Sequence, residues 1–278
     1  MTSGQYVVWT NSSHPCITHP VNTEHAVDEW TLREGRKRHN LLDTGRGGTW
    51  WAPGAIGWWV GALFATGATL FALGSAPFYS EAVGYRPDAW TFFIGSLFFT
   101  SAAFLQYLEA VNAPVPGRKS IRKRLLAWEP KNPGWWSTLI QFAGTLCFNV
   151  STFSALLRHL STPQVERLVW RPDIAGSICF LVASILAWRE LTHRFWTWQI
   201  RSISWWIVVL NLIGSVAFGA SAVAAYVVPT TGEPWNILVV NLGTFIGALC
   251  FFAGAALLLP ERTAKAAYPR PAPAREIR

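Results

Sequence analysis

Gly95-Ser96-Leu97-Phe98-Phe99-Thr100-Ser101-Ala102-Ala103-Phe104-Leu105-Gln106-Tyr107-Leu108-Glu109 recurs twice more in outline along the chain. A Gly is followed four residues on by a Phe and fourteen on by a Glu: Gly95, Phe99 and Glu109, then Gly176, Phe180 and Glu190, then Gly247, Phe251 and Glu261. Each copy lies in an apolar stretch as long as a bilayer is thick. At 100° per residue, offsets of 0, 4 and 14 fall within a sector of about 80°. The three residue types therefore share one stripe of a helix.

A second spacing alternates with the first. Trp58-Trp59 precedes Gly67, Phe71 and Gly74; Trp135-Trp136 precedes Gly144, Phe148 and Ser151; Trp205-Trp206 precedes Gly214, Phe218 and Ser221. The repeating unit is thus a two-helix hairpin, used three times. A two-helix unit returns to the side it left, so its copies are parallel and imply a pseudo-threefold bundle. In lipid, Gly and Ser let helix backbones approach closely, and a Phe fills the space that a facing Gly leaves. Gly67, Gly95, Gly144, Gly176, Gly214 and Gly247 are therefore expected to form a packing seam.

The bulk composition agrees with a membrane chain. Of 278 residues, 51% are hydrophobic and 14% charged, against about 25% charged in a soluble domain. Seventeen Trp, many at the ends of apolar stretches, suit the membrane interface. Six spans are predicted at 54–76, 89–110, 135–157, 172–191, 204–228 and 235–259. Each is near the roughly 20 residues that cross about 30 Å of hydrocarbon. The fourth is the weakest, with an uninterrupted apolar run only from Ile174 to Trp188, and Pro172 fits its first turn. The hairpins then cover 54–110, 135–191 and 204–259 within a membrane domain of 51–260. Residues 1–50 form a polar cytoplasmic segment without a signal peptide, and 261–278 a disordered cytoplasmic tail.

Orientation follows from the basic residues. With the N-terminus inside, 19 of 23 Lys and Arg fall on the inner side, leaving Arg86, Arg158, Arg167 and Arg171 outside. Both termini are expected in the cytoplasm. The +8 charge belongs to this inner face, and no basic soluble domain suggests a nucleic-acid partner. The stretch 118–128, from Arg118 to Trp128, is either an ordinary positive-inside loop or a contact for anionic lipid. Gly45-Arg46-Gly47-Gly48 lacks a following Lys-Ser/Thr and is read as a linker, not a phosphate loop.

With Gly95-Ser96 and Phe99, and Gly176-Ser177 and Phe180, the membrane region resembles the YrhK-like bacterial membrane proteins. The third copy departs, with Gly247-Ala248. The resemblance implies a multi-pass protein of the bacterial cytoplasmic membrane. It brings no catalytic residue, cofactor or assigned activity.

Candidate chemistry is sparse. Glu109, Glu190 and Glu261 all fall at the inner ends of even helices, where a carboxylate faces the negative end of its own helix dipole. They form either an acidic ring that attracts a cation or pairs with interfacial Arg189, Arg194 and Arg262. Gln141 and Asn211 occupy one slot, three residues before the odd-helix Gly; Phe64 holds it in the first repeat. With Gln106, Asn149 and Asn241 they serve as interhelical glue or as a polar path. No Asp, Glu, Lys, Arg or His sits mid-span, and His159 and His193 lie at helix ends. This disfavours a proton pump, a voltage sensor or a haem protein. His14, Cys16, His19 and His25 are competent metal ligands in a spacing that matches no known site, and no metal is assigned. Cys147, Cys179 and Cys250 fall mid-helix and are read as small apolar residues, not a disulfide framework. No nucleophile–base set or hydrolase motif is present, so no catalytic residue is predicted. The readings left are a structural or partner-binding membrane component and a passive conduit or carrier for a small solute or cation along the axis.

Overall fold

The computed structural model describes residues 50–113, 124–157, 159–192 and 198–261. The His14/Cys16/His19/His25 group, the 45–48 linker, residues 118–123, Arg158, His193, Arg194 and the tail from 262 lie outside the described residues.

The described chain is all-helical apart from one isolated antiparallel bridge between Val227 and Pro234. The helices are α1 (Ile56–Gly74), α2 (Pro77–Val83), α3 (Tyr85–Val111), α4 (Pro133–Ala155), α5 (Thr162–Val165), α6 (Arg171–Thr192), α7 (Ile203–Ala224) and α8 (Ile237–Glu261). A five-residue π-helical segment, Glu166–Trp170, joins α5 to α6. Five helical stretches are long and apolar enough to cross a membrane: Ile56–Gly74, Tyr85–Val111, Thr162–Thr192, Ile203–Ala224 and Ile237–Glu261.

Two features differ from the sequence expectation. The fourth apolar stretch is not the weakest, because the helix runs unbroken for 31 residues from Thr162 to Thr192. Pro172 therefore sits inside a continuous helix and not at a free start. It has no N–H to donate to the preceding turn, and the π segment just before it is where the ladder widens. The stretch that falls short of the five is α4, whose 23 residues include Gln141 and Asn149 as well as several Ser and Thr. The short helix α2 was not anticipated. It starts on Pro77 and stops at Gly84, whose φ of +79° is open to Gly but strained for other residues.

Helix starts are set locally. Asn132 accepts from the backbone N–H of Gly134 and Trp135, and Ser202 from that of Trp205, as capping side chains do. Ala55 holds the same place before α1 and offers no side-chain cap.

The long helices pack as a ring in chain order. α1 packs on α3, α3 on α4, α4 on α6, α6 on α7, α7 on α8, and α8 returns to α1. Hydroxyl bonds stitch three of the seams: Ser96 to Thr152 between α3 and α4 and Ser184 to Ser215 between α6 and α7, both at 2.9 Å, and Ser221 to Thr244 between α7 and α8 at 2.8 Å. At the closing seam Gly61 of α1 lies against Ala255 and Leu258 of α8.

Candidate functional site

Within each pair α1/α3, α4/α6 and α7/α8, Gly and Phe interlock reciprocally. A Cβ on Gly67 would stand 2.7 Å from Phe99 Cδ2, and one on Gly95 2.9 Å from Phe71 Cδ2. In the second pair Gly144 faces Phe180 at 2.9 Å and Gly176 faces Phe148 at 3.0 Å. In the third, Gly214 faces Phe251 at 3.2 Å and Gly247 faces Phe218. At Gly67, Gly95, Gly144 and Gly247 a Cβ would collide with its neighbour, and at Gly176 and Gly214 the neighbour would have to give way, which is the physical reason for Gly at these positions.

The six Phe rings that fill these notches meet each other inside the ring of helices. Partners within a pair sit at 5.4, 5.2 and 5.3 Å between centroids (Phe71–Phe99, Phe148–Phe180, Phe218–Phe251). The three from α3, α6 and α8 close a triangle: Phe99–Phe180 at 6.2 Å, Phe99–Phe251 at 6.1 Å and Phe180–Phe251 at 5.6 Å. Phe218 also reaches Phe71 and Phe148. None of the six is more than 6% exposed, so the middle of the bundle is filled by aromatic rings in favourable edge and tilted contacts.

Next to this plug lies a cavity of about 50 Å³, lined from α1, α3, α4, α6, α7 and α8. Phe99, Phe180 and Phe251 wall it on the plug side, and Phe64, Gln141 and Asn211 all face it. The slot three residues before Gly67, Gly144 and Gly214 therefore faces the chamber. Gln106 joins these two amides, with Ser137 and Ser184. Asn149 and Asn241 do not line the chamber. Asn149 has a buried Oδ1 without a hydrogen-bond partner among the described residues.

The carboxylates are arranged by hairpin. Glu261, 7% exposed, accepts a 2.7 Å hydrogen bond from Ser204 Oγ, on the second residue of α7. Glu109, 1% exposed, has its Oε1 3.5 Å from where a Cβ on Gly57 would stand, and Gly57 is the second residue of α1. In both cases the carboxylate at the C-terminal end of one helix (α3 or α8) meets the N-terminal turn of the other helix of its pair (α1 or α7). The positive end of that neighbour's dipole offsets the unfavourable end of its own. The same slot in α4 is Gly134, and Glu190 is half-buried at the matching end of α6.

The Trp pattern is larger than the pairs read from the sequence. Each pair stacks edge-on, at 5.0, 4.8 and 5.0 Å. A third Trp seven residues earlier packs on the first of each: Trp51 on Trp58, Trp128 on Trp135 and Trp198 on Trp205. The second Trp of each pair donates its indole N–H to the carbonyl six residues back, from Trp59 to Pro53, Trp136 to Pro130 and Trp206 to Ile200. The signal was available as Trp-x6-Trp-Trp at all three places. These clusters fold the chain before each odd helix back on itself at the end where Glu109 and Glu261 lie.

Among the described residues no group of three or more His, Cys, Asp or Glu is placed to hold a metal. No protein-family model, characterised protein or solved structure matches the chain.

Proposed function

We propose that this is a six-span protein of the bacterial cytoplasmic membrane, built from three parallel hairpins about a pseudo-threefold axis with both termini inside. We infer that it acts as a structural or partner-binding component and not as an open conduit or an enzyme. The observation that carries this reading is the Phe plug: the axis along which a solute would pass is filled by six buried rings. The repeat supports α4 as the sixth span. It carries the same Trp pair, Gly and Phe as α1 and α7, and packs on α6 as they pack on α3 and α8. Its extra polar groups are used inside the bundle: Ser137 bonds Ala183 O, Thr152 bonds Ser96, and Gln141 faces the chamber.

The acidic trio is better explained by clasps within hairpins than by a cation ring, since Glu109 and Glu261 each meet the first turn of their own hairpin's first helix. The inner face, with the 118–128 stretch and the Trp clusters, is the surface for anionic lipid or a protein partner. The YrhK-like resemblance accords with this reading and adds no activity to it.

Reconstitution into liposomes tests the function. Potassium, proton and urea fluxes should equal those of empty vesicles, and replacing Glu109, Glu190 and Glu261 together with Gln should leave them unchanged. Flux in the parent protein that the triple change alters would replace the scaffold reading with the conduit.

A further inference from the structure

We propose that the chamber beside the Phe plug is a binding site for ordered water: a small cluster that joins Gln106, Gln141 and Asn211 across three helices. This goes beyond the scaffold reading and does not depend on it, since a closed axis can be wet or dry on one side of its plug.

The amides carry the argument. No hydrogen bond joins the side chain of Gln106, Gln141 or Asn211 to another described residue. Each is half-buried and carries two N–H donors and a carbonyl acceptor, groups that an apolar wall leaves unsatisfied and a water can serve. Three such groups from α3, α4 and α7 converge on one cavity of about 50 Å³. A buried water needs only about 10–15 Å³ and two to four polar partners. Two hydroxyls complete the set. Ser137 donates to Ala183 O at 2.9 Å, and Ser184 bonds Ser215 at 2.9 Å, so each hydroxyl oxygen retains acceptor capacity toward the chamber.

Charge and shape select the occupant. No ionisable residue lines the chamber, so a desolvated ion there would have no countercharge. An acyl chain would leave all three amides unpaired. Phe64 in the slot of Gln141 and Asn211 shows that the repeat accepts an apolar residue there. The two amides are therefore not required for the helices to pack. Phe99, Phe180 and Phe251 bound the site, so water is held on one side of the plug only.

The test uses the full chain in lipid nanodiscs with ¹⁵N-labelled Asn and Gln. Water-selected magnetisation transfer should reach the side-chain amides of Gln106, Gln141 and Asn211. In the variant Gln141→Met/Asn211→Leu, transfer to Gln106 should be lost. Phe64→Gln provides a variant in the opposite direction and should add a fourth water-coupled amide. Transfer from lipid acyl protons in place of water, or no water transfer to any of the three amides in the parent, would overturn the proposal. So would undiminished transfer to Gln106 in a folded double variant. The liposome fluxes report on closure alone, so the two claims fail separately.

Discussion

Replacing Gly67 with Ala adds one methyl group to the tightest part of the first hairpin. The new carbon would stand 2.7 Å from Phe99 Cδ2, 3.0 Å from Phe99 Cε2 and 2.9 Å from the Gly95 carbonyl. Comfortable contacts between carbons are about 3.5–4.0 Å, so something must move by most of an ångström. Neither obstacle is free to do so. Gly95 O is backbone of α3, and Phe99 is enclosed by Phe64, Phe71, Phe180 and Phe251. The helices must separate, and overpacking of this kind costs about 1–3 kcal/mol. Against it stands a helix-propensity gain of about 1 kcal/mol for Gly→Ala. Two rigid obstacles put the clash in the upper part of its range, for a net loss of about 1–2 kcal/mol. Gly219→Ala is the control, because nothing lies within 4 Å of its Cβ position. It should collect the gain alone. Reversible unfolding in bicelles should therefore separate the two variants by about 2–3 kcal/mol. Phe99→Leu should relieve part of the Gly67→Ala defect, giving a non-additive double-mutant cycle of at least about 0.5 kcal/mol. If Gly67→Ala proved as stable as Gly219→Ala, the interlocked seam would not be what holds the hairpin.

Ser204→Ala removes the 2.7 Å donor to Glu261; bonds to carboxylates contribute about 1.5–3 kcal/mol, and the same unfolding assay should show a loss in that range. Ala55→Ser gives α1 the cap that Asn132 and Ser202 supply to α4 and α7. It should stabilise by about 0.5–1 kcal/mol, whereas no gain would mean that α1 starts on other terms.

The Gly–Phe contacts were legible because close helix packing leaves a sparse code: a Gly facing a Phe needs only one position each, four apart, and tolerates change around it. Gly67, Gly95 and their counterparts could therefore be picked out without a fold in hand. Less accessible was where the carboxylates went. Sequence places Glu261 at the end of α8 but says nothing of Ser204, 57 residues away, so pairing with Arg or gathering on an axis looked like the choices. Contact across the hairpin supplied a third. That Gln141 and Asn211 line one chamber was hidden for a related reason. Their shared slot was visible, but which side of a helix faces the axis depends on how three hairpins are rotated against each other. The π segment escaped notice because a Pro such as Pro172 reads equally as a helix start or as a defect in a longer helix. The third Trp of each cluster lies seven residues before each pair, outside the apolar stretches that carry the helical pattern.

Closure of the ring between the first and last hairpins is the claim on which the plug, the chamber and the axis all rest. A Cβ on Gly61 would lie 3.3 Å from Leu258 Cβ, slightly closer than the roughly 3.5–4.5 Å at which disulfides form. The small outward shift that a disulfide needs also eases the contact with Ala255 O. In a background with the four native Cys replaced, Gly61→Cys/Leu258→Cys should oxidise to an intramolecular cross-link in native membranes. Absence of a cross-link in a folded variant, or one that appears only between two chains, would contradict a ring closed within one molecule.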